Sequence, residues 1–489
     1  MQVETPEKKP IDLSTLNPKT LWTHFQTLCT TPRGSKDEAA VAQTIVDLAT
    51  THERIVSRDD AHNVVVFIPA TKGHEHFPVM CLQSHIDMVL DKDPDIESIF
   101  PIELSLDENG ILTAKGTTLG ADNGIGAAAM MALIADDVNI NHGPLELLFT
   151  TQEEIGLLGA RQFDFTQLFA KLVLNLDSEE EGVLCVGCAG GSRAEAVFDP
   201  HLMPGEEGFK YEIKVAGLKG GHSGVDIHRG RANAIKVLAN ILVTMDREVF
   251  FGLNNFTGGV AMNAIPKEAQ ATVIVADYAD DAFEDALKEM IVLAIHKFSN
   301  ENMSITFEKT PCAAGELVFS SKSQEQFLKA IDAIPNGVVA VEDEDPSMVQ
   351  TSNNVGLVKQ REQSVVVTTM CRSSLKTALN ALENTIDEIF TEAGAIVEWG
   401  SRYSPWEPQY DSMLVKKVKD CYKKLTGKDA KVETIHAGLE CAAISEKMPN
   451  VEIVSFGPSM GNVHTTKEWV DTHSVARFWD LLLEVIKVD

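Results

Sequence analysis

Positive charge is scarce in this 489-residue chain: 42 Lys and Arg stand against 72 Asp and Glu, a formal net charge of -30. Such a field repels phosphate backbones and anionic lipid headgroups, so no nucleic-acid partner and no membrane partner is expected. Long hydrophobic runs are missing too. None approaches the roughly 20 residues that span a bilayer, and the opening Met1-Gln2-Val3-Glu4-Thr5-Pro6 carries no cationic–apolar signal. The eight cysteines are scattered, and Cys185-Val186-Gly187-Cys188 has no second C-x-x-C to complete a structural zinc cage. Reduced thiols and a cytoplasmic location are expected. There is no internal repeat, low-complexity tract or flexible linker.

What is present is 44% hydrophobic residues and only 23% charged ones, ample for burial, in a chain too long for one ordinary core. The first ~190 residues alternate candidate strands with helices. Asn63–Ile68, Val79–Ser84, Leu145–Thr151 and Leu172–Asp177 read as strands, and an Ala- and Met-rich helix runs over Gly124–Asp137. Alternation of this kind predicts a mixed, mostly parallel sheet flanked by helices, with ligands gathered at the carboxyl ends of the strands. Near Gly190-Gly191-Ser192 the pattern changes. Phe209–Ala216, Ala269–Ala276 and Ser364–Cys371 read as half-exposed strands, and amphipathic helices are expected around Ala232–Phe250, Asp281–Phe298 and Leu375–Ala393. The segment predicts an inserted α+β domain. The α/β pattern returns after Tyr403-Ser404-Pro405-Trp406, with helices near Ser412–Thr426 and Val475–Val488 and a strand at Val451–Phe456. The boundaries are therefore 1–190, 191–402 and 403–489, the outer two forming one domain. The acidic stretch Glu342-Asp343-Glu344-Asp345-Pro346 reads as an exposed loop.

Five segments place carboxylates and imidazoles at the ends of apolar runs: Ser84-His85-Ile86-Asp87, Leu119-Gly120-Ala121-Asp122, Thr151-Gln152-Glu153-Glu154, Asn175-Leu176-Asp177 and Asn462-Val463-His464. Two His with several Asp and Glu suit Zn²⁺, or Mn²⁺ and Co²⁺, better than iron–sulfur or copper chemistry. Two adjacent ions need one bridging carboxylate, and Asp122, on a Gly-flanked turn, fits that place. His85 and Asp177 complete one metal; Glu154 and His464 complete the other. Asp87, two residues beyond His85 on the same side of an extended chain, is placed to accept the imidazole N–H and fix its tautomer. Glu153 adjoins the ligand Glu154 and is expected to point elsewhere, as a free carboxylate serving as general base and then acid. Water activated by such metals would make the chain a hydrolase.

These segments resemble the co-catalytic dizinc exopeptidases, and within them the dipeptidases that cleave Xaa-His dipeptides such as carnosine. The resemblance covers nearly the whole chain. It also includes Gly220-Gly221-His222-Ser223-Gly224, Asn263-Ala264-Ile265-Pro266 and His436-Ala437-Gly438-Leu439-Glu440-Cys441. It implies two zinc ions per chain on the five ligands named, a cis peptide after Asp122, and an inserted domain that acts as a lid and forms a homodimer. It also implies four substrate contacts. His222 would steady an oxyanion and Asn263 would supply an amide. Arg372 would clamp the terminal carboxylate of a small dipeptide, and Gly438 would let backbone approach it. An N-acyl amino acid deacylase, a tripeptidase, or a non-catalytic metal-binding scaffold are the alternatives.

Overall fold

The computed structural model describes residues 11–135, 140–343, 345–361 and 363–488. The opening Met1–Pro6, the helix end expected at Asp137, and Glu344 lie outside the described residues. The chain divides into two compact units. The first comprises Met1–Gly187, Pro408–Thr434 and Leu439–Asp489; the second comprises Cys188–Glu407 and Ile435–Gly438.

In the first unit, an eight-stranded sheet runs in the order Ile55–Arg58, Val64–Ile68, Leu145–Thr150, Met80–His85, Leu172–Asn175, Glu452–Ser455, Val183–Cys188, Lys431–Ile435. Its centre is parallel: Met80–His85 pairs in parallel with both Leu145–Thr150 and Leu172–Asn175, and Glu452–Ser455 extends that group. Every residue of Met80–His85 and Leu145–Thr150 is buried, because helices cover both faces of a parallel sheet. That is why these strands lack the in–out alternation of a half-exposed strand. Helices Lys19–Thr30, Ala39–Thr51, Ala121–Ile134, Met413–Thr426 and Thr472–Ile486 supply the cover, through Trp22, Phe25, Ile45, Met130, Val418 and Leu482 among others.

The helix assigned to Ala121–Ile134 has non-helical backbone at Asp122 and Asn123. The Asn123 side chain accepts the Gly126 N–H at 3.2 Å, as an N-cap does. The true helix therefore starts just after Asp122, where the sequence places it. A small antiparallel sheet joins Leu104–Leu106, Ile111–Ala114, Trp469–Asp471 and Met460–Gly461. It ties the distant 460–471 segment beside the chain that leads into Asp122.

The second unit is a nine-stranded sheet. Its order is Ser304–Cys312, Gly208–Ala216, Ala269–Ala276, Gly252–Gly258, Val349–Arg361, Ser364–Ser373, Gly190–Phe198, Ile396–Tyr403, with Gly337–Val341 paired onto Val349–Arg361. Alternate residues such as Tyr211, Ile213, Val215, Ala194 and Ala196 enter one apolar cluster. Four helices contribute to the same cluster: Ala234–Met245, Asp280–Lys297, Ser321–Ala333 and Lys376–Glu392. Two readings need correction here. The second unit takes residues 188–190 and 403–407 beyond the expected boundaries, and it also takes 435–438, where the Ala189 N–H bonds the Ile435 carbonyl at 3.0 Å. Glu342 is not exposed: it is 9% accessible and accepts a hydrogen bond from the Ser374 hydroxyl.

Candidate metal centre

The parallel strands deliver their terminal residues together. His85 ends Met80–His85, Glu153 and Glu154 follow Leu145–Thr150, and Asp177 follows Leu172–Asn175. His464 arrives on the loop after Met460–Gly461. The five proposed ligands fall into two triads that share Asp122. His85 Nε2 lies 3.0 Å from Asp122 Oδ1 and 3.3 Å from Asp177 Oδ1. His464 Nε2 lies 3.1 Å from Asp122 Oδ2 and 2.9 Å from Glu154 Oε2. Each oxygen of Asp122 thus faces one triad, the geometry of a bridging carboxylate. The peptide bond after Asp122 is cis.

These spacings fit divalent ions. Ligands on a tetrahedral zinc, with bonds of about 2.0–2.1 Å, stand about 3.3 Å apart. Glu154 Oε1 is also buried with no hydrogen-bond partner among the described residues, a vacancy that a cation would satisfy. Electrostatics agree. Burial pushes Asp177 up to about 6 and Glu179 up to about 7. Glu153 is pushed well above the usual carboxylate range by burial and by Asp177, Glu154 and Glu440, against the pull of His85. Hydrogen bonds to Asp122 and Glu154 raise His464 to about 11. Burial opposes charge on Asp122, yet His464 and His85 hold it well below its ordinary value. Without metal, protons make up a shortage of positive charge among crowded carboxylates, and two divalent ions would supply it instead.

Neighbouring residues hold the ligands in place. His85 Nδ1 is 3.1 Å from the Asp87 main-chain oxygen and 3.5 Å from its carboxylate, so both face the ring nitrogen. The Asp87 carboxylate also accepts from Ser35 Oγ at 2.7 Å and from the N–H groups of Glu153 and Glu154 at 3.0 and 3.3 Å. The Asp87 side chain thus holds the turn carrying both glutamates while lying beside the ring. Gln152, at the start of that turn, has a left-handed φ of 53°, and its N–H is bound by Glu38 at 3.0 Å. Glu153 has a carboxylate oxygen within 4.8 Å of ligand atoms of His85 and Glu154, yet belongs to neither triad around Asp122.

Several residues of the first unit escaped the sequence reading. Glu468, 2% accessible, accepts the N–H groups of Leu119, Gly120, Ala121 and Asp122 at 2.8, 2.9, 2.8 and 3.3 Å. Buried Arg33 reaches the Gly120 carbonyl at 2.5 Å and the Ile86 carbonyl at 3.2 Å. Gly120 has φ +69, and a Cβ there would lie 2.3 Å from Arg33 Nη2, so glycine is required on both counts. Beneath the ligands, Glu440 binds Gln83 Nε2 and Thr150 Oγ1, each at 2.6 Å, and Asn175 Nδ2 binds Gln83 Oε1 at 2.6 Å. Gln83 and Asn175 each precede a ligand by two residues, on the same side of their strands. Burial raises the Glu440 carboxyl to about 8. The signal that could have found it was on hand, since Glu440 lies within the quoted His436–Cys441 segment.

The remaining predicted residues lie in the second unit. His222 Nδ1 accepts the N–H groups of Gly224 and Val225 at 3.1 and 3.2 Å. Burial and the charge of Arg372 lower its pKa, so the neutral ring carries its proton on Nε2. Asn263 is exposed, and its carbonyl accepts the Ser223 N–H at 2.8 Å. Gly438 is half-buried, two residues beyond His436, whose Nε2 lies 2.7 Å from Ser352 Oγ. Arg372 is 6% accessible; Nη1 donates to the Tyr403 hydroxyl at 2.9 Å, and Nε is buried with no hydrogen-bond partner among the described residues.

A carboxylate facing two candidate ligand triads at the strand ends of an α/β sheet is an arrangement that could hold two metal ions. The chain belongs to peptidase family M20/M25/M40, whose model matches residues 81–488, and it is a metallopeptidase. Over 482 residues it is 36% identical to the cytosol non-specific dipeptidase of Escherichia coli, covering 97% of this chain and 99% of that one. The aminoacylhistidine dipeptidase of Vibrio alginolyticus superposes with a TM-score of 0.87 at 37% identity, covering 97% of this chain and 98% of the other. The aminopeptidase PepT of Bacillus cereus shares the fold, with a TM-score of 0.57 at 18% identity, over 96% and 98% of the two chains.

Proposed function

We propose that this chain is a dizinc dipeptidase that hydrolyses dipeptides with a free carboxyl terminus, Xaa-His dipeptides among them. The observation that carries the reading is Asp122, with one carboxylate oxygen toward His85 and Asp177 and the other toward His464 and Glu154. The two relatives that match nearly end to end are both dipeptidases by name, which supports the substrate class. Divalent ions held by these residues would polarise a peptide carbonyl and make water a better nucleophile.

The chain's own groups account for the rest. Glu153, a carboxylate outside both triads, takes the proton of the attacking water and returns it to the leaving amine. Asp87 holds the turn that aims Glu153, and orients His85 through its carbonyl. His222 Nε2–H is a neutral donor suited to an oxyanion. Arg372 has no carboxylate partner among the described residues, so a substrate carboxylate would complete it. Asn263 and Gly438 would contact the peptide.

The test is a panel assayed after reconstitution with Zn²⁺, Mn²⁺ or Co²⁺. It comprises Xaa-His and Xaa-Gly dipeptides, C-terminally amidated dipeptides, tripeptides and N-acetyl amino acids. Free dipeptides should be cleaved and amidated ones should not. Faster cleavage of N-acetyl amino acids, or of tripeptides, would move the assignment to a deacylase or a tripeptidase. We also propose a cytoplasmic homodimer formed through the second unit, acting as a lid. No disulfide joins any of the eight cysteines, and Val338, Val339 and Val341 on the strand Gly337–Val341 are exposed apolar residues that a second copy would cover. Light scattering should give twice the chain mass, and a monomer at micromolar concentration would contradict the dimer. No described helix is long and apolar enough to cross a membrane.

A further inference from the structure

Arg372 is a buried guanidinium whose only hydrogen bond among the described residues goes to a neutral hydroxyl, and strand register explains how that hydroxyl reaches it. Ser352 pairs with Arg372, Arg372 with Gly191, and Gly191 with Tyr403, across four neighbouring strands. Residues directly opposite one another in paired strands project from the same face. Ser352, Arg372, Gly191 and Tyr403 therefore form one row, and the glycine leaves a gap in it. A Cβ at Gly191 would lie 2.7 Å from the Tyr403 hydroxyl oxygen and 2.8 Å from its Cζ, so the ring occupies that gap. Strands stand about 4.8 Å apart, so Tyr403 and Arg372, two strands removed, meet only because nothing rises between them. At the other end of the row, Ser352 holds His436. The imidazole is neutral, its pKa lowered to about 3 by burial and by the nearby guanidinium.

We propose that Tyr403 is a positioning residue: it accepts one N–H of Arg372 across the gap at Gly191 and so aims the rest of the guanidinium at the free carboxylate of a peptide. This rests on the reading of Arg372 given above. A phenol suits the task because it fixes the side chain without neutralising it. An Asp or Glu in its place would form an ion pair and compete with the substrate. The Nε–H has no acceptor among the described residues, and Nε is one edge of the fork that grips a carboxylate at two points.

The test compares wild type with Tyr403→Phe, which removes only the hydroxyl, and with Gly191→Ala, which fills the gap. Zinc-loaded full-length protein is assayed with alanyl-histidine, using histidine and histidinamide as competing inhibitors. Wild type should bind histidine more tightly than histidinamide. Tyr403→Phe should shrink that preference by about 10-fold or more, the worth of one hydrogen bond to a charged group. The loss should fall on KM more than on kcat, with metal content unchanged. A Tyr403→Phe enzyme that keeps the wild-type preference overturns the proposal and leaves the Arg372 reading standing. Equal binding of both inhibitors by the wild type overturns the Arg372 reading and this proposal with it. If Gly191→Ala folds, it should reproduce the Tyr403→Phe preference, and a wild-type preference in it would also count against the proposal.

Discussion

Glu153 and Glu154 are neighbours given different work by the turn that carries them. Glu154 turns Oε2 to within 2.9 Å of His464, while Glu153 joins neither triad around Asp122. Glu153→Gln keeps the size and removes the base. Turnover of a dipeptide should fall by about 10²–10⁴-fold, with metal content per chain unaltered; more than a tenth of the wild-type rate would take the role away from Glu153. The five proposed ligands, which the structure brings within reach of one another, stand out in the sequence because each closes an apolar run or a Gly-flanked turn, a local signature. Glu468 was not legible as a functional residue, since a single carboxylate among 72 acidic residues has no periodic mark. Asp87 shows a subtler limit. Residue spacing gives the side of the strand on which it lies, but only the fold shows that its carbonyl, at 3.1 Å, is nearer the ring nitrogen than its carboxylate.

At the scale of elements, the segment that presents Asp122 is held by a residue almost 350 positions away. Four consecutive N–H groups, from Leu119 to Asp122, converge on the Glu468 carboxylate, two on each oxygen. Glu468→Gln leaves one accepting oxygen and turns an NH₂ toward the other two donors. Each buried N–H left unpaired costs about 1–3 kcal/mol, so stability should fall by about 2–6 kcal/mol. Urea unfolding measures it, and a change below about 0.5 kcal/mol would mean that solvent or backbone shifts replace the lost acceptor. The central strands and the amphipathic helices of both units were readable from hydrophobic period. Ala269–Ala276 matches its strand end to end. Val349–Arg361 was not readable, because its Thr351, Ser352, Asn353 and Asn354 are polar yet buried, with contacts such as Asn353 Nδ2 to the Pro335 carbonyl at 2.7 Å. A strand that buries polar groups shows neither alternation nor an apolar run.

For the whole molecule, charge and topology meet in one requirement. The chain has a formal net charge of -30, and its first unit gathers Asp87, Asp122, Glu153, Glu154, Asp177, Glu179, Glu440 and Glu468 about two imidazoles and Arg33. Crowded carboxylates at neutral pH either take up protons or are joined by cations, and bound divalent ions would let this cluster stay ionised. Metal analysis by mass spectrometry after dialysis is the most direct test, run on wild type and on Asp122→Asn alongside dipeptide turnover. Two divalent ions per chain in the active wild type, with Asp122→Asn losing both turnover and at least one ion, is the result expected of a shared bridging carboxylate. A fully active wild type that holds a single ion per chain would contradict it.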